Sequence, residues 1–199
     1  MTRTLQQDES LHTEAWTALQ PACIICLGNE LARDDGVGVR MGRILQSLPL
    51  PTHVVVRLCP QIDLDLIDHL LTAQRFILCD ATRMGLEPGT VTVDDWQFAA
   101  SLSRQPYCCH GIGLSDLLSI AAELDPDHAR WEVHLVGVEA RTVDEFGTRL
   151  SDSVEAALPR AIGEVLKKLA APVELLPFAE AAAKRTRAPS VLDAAIAGT

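Results

Sequence analysis

Apolar and polar positions alternate along this chain in two periods. Ala22-Cys23-Ile24-Ile25-Cys26-Leu27 is an unbroken apolar run ending at Gly28 and reads as a buried strand. Val37, Met41, Ile44, Leu45 and Leu48 then recur at helical spacing until Pro49, which predicts an amphipathic helix over 36–48. Val54-Val55-Val56 supplies a second strand. Pro60 is read as opening a helix with Ile62, Leu66, Ile67 and Leu70 on one face, with Asp63 and Asp65 near its positive end. Arg75 to Asp80 forms strand three, and Gly89 to Val93 a fourth. Only ten residues separate Asp80 from Val91, fewer than a parallel crossover needs, so strand four is expected to run antiparallel.

Residues 94–109 carry no clear period. Ile112, Leu114, Leu117, Leu118, Ala121 and Leu124 mark a further helix that stops before Pro126, with His110 just ahead of it. Trp131 to Val138 is a fifth strand. Ser153 to Leu169 is a closing helix that Pro159 is expected to kink or restart. The alternation implies an α/β fold: a three-layer αβα sandwich with a five-stranded, mostly parallel sheet and one antiparallel strand. In a 2-1-3 order, strands one and three flank the switch point where such sheets bind ligands, at their carboxyl ends. Asp35 follows strand one and Asp80 ends strand three.

With 199 residues, 48% of them hydrophobic, the chain suits one well-buried domain, placed at 21–170. It follows a polar leader, 1–20, and precedes a tail, 171–199, read as helix-prone or disordered. A net charge of -10 argues against nucleic acid as a partner, since Lys184-Arg185-Thr186-Arg187 is the only basic cluster. The leader lacks the apolar centre of a secretion signal, and no segment reaches the length of a membrane span, so a cytoplasmic protein with no membrane partner is expected. Cys23, Cys26, Cys59 and Cys79 lie in or beside strand-like runs, where a thiol packs as a small hydrophobe, and disulfides are not expected. The Cys23-x-x-Cys26 spacing sits mid-strand and is read as burial rather than a zinc or redox pair.

Chemistry concentrates in the segment Gly28 to Gly38, which carries glycines 28, 36 and 38 and the acids Asp34-Asp35 at a strand-to-helix connection. Fixed negative charge there attracts cations and repels phosphates, and the glycines match neither a Walker loop nor a dinucleotide fingerprint. Each acid has a structural alternative: Asp34 and Asp35 as cap and first-turn acids, Asp80 as the cap of the turn after strand three. His110, before a helix start, keeps a lone pair for coordination because the dipole disfavours imidazolium. Cys108 and Cys109 beside it are read as packing rather than as soft ligands. Two carboxylates and an imidazole suit nickel, zinc or a related divalent ion with open positions. A metal-free Asp35/Asp80 pair performing general acid and base work fits the same residues.

Four motifs in order resemble the hydrogenase maturation endopeptidases, which trim the C-terminal extension of the large subunit of nickel-iron hydrogenases after nickel insertion. They are Leu27-Gly28-Asn29-Glu30-Leu31 with Asp34-Asp35-Gly36-Val37-Gly38, Cys79-Asp80-Ala81 with Pro88-Gly89, His110-Gly111-Ile112-Gly113-Leu114, and Leu135-Val136-Gly137-Val138. The resemblance implies Asp35, Asp80 and His110 as metal ligands, with Asp35 and Asp80 as the catalytic carboxylates. It also implies nickel supplied by the substrate, or another divalent ion in the same place, and a precursor large subunit as partner. Many members carry Glu in place of Asp35. The glycine-rich segment many have after strand two is replaced here by Leu58-Cys59-Pro60-Gln61-Ile62-Asp63, in a region tied to substrate choice. A non-cleaving, nickel-binding hydrogenase assembly factor would use the same three residues.

Overall fold

Strand β1, Ala22–Leu27, is buried at every position, as its unbroken apolar run requires. In the computed structural model, which describes residues 21–60, 63–97, 114–126, 131–171 and 175–185, β1 lies near the middle of a five-stranded sheet. The other strands are β2 (Val54–Cys59), β3 (Arg75–Thr82), β4 (Val91–Gln97) and β5 (Glu132–Glu139), in the order β2-β1-β3-β5-β4. Strand β1 is parallel to both β2 and β3, β3 is parallel to β5, and β4 is antiparallel to β5. The short link from β3 to β4 thus gives the expected antiparallel edge.

Alternation along β1 separates two cores. Ala22, Ile24 and Cys26 pack with Met41, Ile44 and Leu45 of helix α1 (Val37–Gln46) and with Val154, Leu158, Ile162 and Val165 of helix α4 (Asp152–Lys168). Cys23, Ile25 and Leu27 pack with Leu70 of α2 (Ile67–Thr72) and Leu117 and Leu118 of α3 (Leu114–Leu124). Helices therefore cover both faces, and the three-layer sandwich stands. Cys23 and Cys26 fall on opposite faces, so the Cys-x-x-Cys spacing cannot grip one ion. Burial pushes the Cys23 thiol up to about 12. Contact with the Cys79 thiol, then burial, raises Cys26 well above its ordinary value. Both remain protonated, inert thiols at neutral pH.

Several details differ from the sequence reading. The helix expected at Pro60 begins later: Asp63 is extended, and its Oδ1 accepts the Asp65 N–H at 3.1 Å, opening a 3-10 turn, Leu64–Leu66, that leads into α2. Strand β3 runs on to Thr82, so Asp80 lies within it, paired in register with Gly137. Strand β4 starts at Val91, because Gly89 has φ +86 and the Thr90 N–H bonds Glu87 in a turn. Pro159 does not restart α4, which is one helix of 17 residues that carries the proline inside it. Beyond residue 170, helix α5 (Leu176–Arg185) adds Ala179, Ala182 and Ala183 to the core beside α4 and α1, so the packed body extends past the boundary read from the pattern. The leader 1–20 lies outside the described residues.

Candidate functional site

The site is positioned by the way α1 begins. After β1, Gly28 takes φ +125, and a 3-10 turn, Arg33–Gly36, leads straight into α1. An added Cβ at Gly28 would strike the backbone carbonyl of Asp35, so the turn folds back onto the strand's end. An added Cβ at Gly38 would run into the carbonyl oxygens of both Leu27 and Cys79. The first turn of α1 therefore rests directly on the ends of β1 and β3, and the turn bearing Asp34 and Asp35 lies against β3. Strands β1 and β3 are neighbours, and the helix that follows β1 and the one that precedes β3 lie on opposite faces, so the helical connections change face between these two strands, which is the switch point of this sheet.

The two adjacent acids have opposite fates. Asp34 is fully buried, and its carboxylate accepts the backbone N–H groups of Arg141 (2.9 Å), Thr142 (3.1 Å) and Ser151 (2.6 Å) and the Ser151 hydroxyl (2.9 Å). Rather than capping its own turn, it fastens that turn to the loop after β5. Asp35 is half-buried, and its Oδ2 accepts the Asn29 N–H at 2.8 Å. Asp80 is 8% exposed and accepts the N–H of Ala81 at 2.8 Å.

The turn after β3 is held by Glu139. Its buried carboxylate accepts the N–H groups of Met84 (2.9 Å), Gly85 (2.8 Å) and Leu86 (3.1 Å) and the Thr82 hydroxyl (2.9 Å). Burial pushes the Glu139 carboxyl up, but the bonds from Met84, Thr82, Leu86 and Gly85 outweigh it and hold the pKa below the usual glutamate value. The cap that the sequence reading allowed for Asp80 is thus supplied from β5. His110, Cys108 and Cys109 lie outside the described residues, among which no group of three His, Cys, Asp or Glu side chains is arranged to hold a metal ion.

A family model described as hydrogenase maturation protease matches residues 62–168. The hydrogenase expression/formation protein HupM of Azotobacter chroococcum is 32% identical over 149 residues, covering 74% of this chain and 70% of its own length. The chain belongs to the hydrogenase maturation protease family. As a member of that family it is a peptidase. Among solved structures, the [NiFe] hydrogenase maturation protease HybD of Thermococcus kodakarensis is 30% identical with a TM-score of 0.56, covering 75% of this chain and 98% of its own. The maturating endopeptidase HybD of E. coli shares the fold, with a TM-score of 0.63 at 24% identity over 75% of this chain and 91% of its own.

In this hydrogenase maturation protease, the buried Glu139 and the long-range role of Asp34 escaped the sequence reading. Glu139 directly follows the Leu135 to Val138 motif, and its place at the end of a buried strand was the one available signal. The four-donor site around Asp34 is assembled from residues more than 100 positions away, which local pattern does not reveal. Among the described residues, no helix is long and apolar enough to cross a membrane.

Proposed function

We propose that this peptidase removes the C-terminal extension of a nickel-iron hydrogenase large-subunit precursor after nickel insertion, and that Asp35, Asp80 and His110 recognise the nickel carried by that precursor. The observation supporting the reading is the close fit of α1 at Gly38, which rests on the carbonyls of Leu27 and of Cys79, the residue before Asp80, and sets the Asp35 turn against β3. The donor chemistry fits. Oxygen and imidazole ligands suit a borderline divalent ion and leave coordination positions to the substrate. Of the three acids in the first motif, Glu30 is paired with Arg43 and Asp34 commits its oxygens to four protein donors, which supports Asp35 as the ligand.

Holding the precursor's metal fixes where the scissile peptide bond lies, and positioning is itself a large part of catalysis. The ion supplies Lewis acidity toward a carbonyl oxygen. Asp35 and Asp80 also offer a carboxylate base for an attacking water. The test compares nickel-loaded with nickel-free precursor by intact mass after incubation with the full chain. Loss of a C-terminal peptide from the loaded form alone is expected. Equal trimming of both forms overturns nickel recognition, and no mass loss from either overturns the processing reading.

A further inference from the structure

Next to the Asp34 joint lies an open cavity of about 530 Å³ that the peptidase site does not use. Arg33, Arg141 and Arg149 line it, with Glu145 and Asp152 as the acids, which is a cationic excess in a chain of net charge -10. Arg141 and Arg149 are exposed, and among the described residues neither guanidinium has an acidic partner. Arg33 meets Glu145 only at 3.3 Å, while its Nε is buried without a hydrogen-bond partner among the described residues.

Arg33 also holds φ +53, a left-handed conformation that is unfavourable for a non-glycine residue. Backbone bonds to Gly147 keep it there: the Arg33 N–H to the Gly147 carbonyl at 2.8 Å, and the Gly147 N–H to the Leu31 carbonyl at 2.9 Å. Leu31 (46% exposed) and Phe146 (73% exposed) flank that seam, a pair of apolar contacts beside the basic cavity.

We propose that this cavity is a carboxylate-recognition subsite for an acidic stretch of the polypeptide being processed. Guanidinium groups bind carboxylates in a paired, directional geometry. Glu145 and Asp152 leave room for a singly charged group but oppose a doubly charged phosphate. The open cavity and the exposed Leu31 and Phe146 suit a chain segment rather than a free ion. The Asp34 bonds to Arg141 and Ser151 tie the cavity's wall to the turn carrying Asp35, so a segment held here lies near the cleavage site. The source of the polypeptide rests on the processing reading, whereas carboxylate binding does not.

The test is calorimetric titration of the full chain with acetyl-Leu-Glu-Glu-Leu-amide, with its Gln-Gln counterpart and with inorganic phosphate. The Glu peptide is expected to bind at least about tenfold more tightly than the Gln peptide, and Arg141→Ala with Arg149→Ala to abolish that preference. Arg33→Gly is expected to weaken the Glu peptide while leaving or raising the melting temperature. Equal binding of the two peptides, an unchanged preference in the double variant, or phosphate binding more tightly than the Glu peptide would each overturn the proposal. None of these readings depends on cleavage, so failure of the precursor assay leaves them standing and their failure leaves that assay untouched.

Discussion

Asp34 and Asp35 are covalent neighbours with separable duties, and substitution should divide them. Asp34→Asn turns one acceptor oxygen into a donor facing N–H groups, so its unfolding free energy by urea titration is expected to fall by roughly 2–4 kcal/mol. Asp35→Asn, on a half-buried residue, should cost under about 1 kcal/mol in the same titration, yet stop precursor trimming. Glu139 adds a pH dependence with a definite sign. Its folded pKa lies below the usual 4.5, so its stabilisation is complete above that value and fades as pH falls through it toward the folded pKa. Melting temperature should therefore drop below about pH 4.5 in the wild type, and Glu139→Gln should be less stable at neutral pH with a flatter acid limb.

Among the elements, α1 is the one that makes the site, and its contact is a glycine against two strand carbonyls. Gly38→Ala must push the helix off β1 and β3, a forced misfit costing about 1–3 kcal/mol or more, and should move Asp35 enough to lose trimming even in molecules that remain folded. Melting curves alongside the precursor assay check both parts. Helical and strand periods placed α1 and the five strands, and the short link from β3 to β4 placed the antiparallel edge. The start of α2 was not legible in the same way. Pro60 is a sound opening signal, but the Asp63 side chain competes by capping the Asp65 N–H, and that competition is settled by backbone geometry rather than composition.

Across the whole molecule, the two-faced sheet was readable and its outer boundary was not. A parallel strand buried on both faces has little choice of surroundings, so β1 and β3 imply helices above and below. The acids were legible as candidates, but which of Asp34 and Asp35 turns inward depends on a loop that meets them only in the folded chain. Helix α5 was obscured for a similar reason. Its contacts are mostly alanines, whose small apolar faces leave a weak period although Leu175, Ala179, Ala182 and Ala183 are all buried. That burial predicts the effect of ending the chain at Ala171. Fully covering a leucine contributes about 1.5–3 kcal/mol and each alanine methyl less, so the shortened chain should lose roughly 2–4 kcal/mol of unfolding free energy. The proposed site lies where α1 meets β1 and β3, whereas α5 packs on α4 and α1. Well below its lowered melting temperature, the truncated protein should therefore still trim the nickel-loaded precursor; loss of trimming there with an unchanged melt would place α5 in substrate contact instead of in the core.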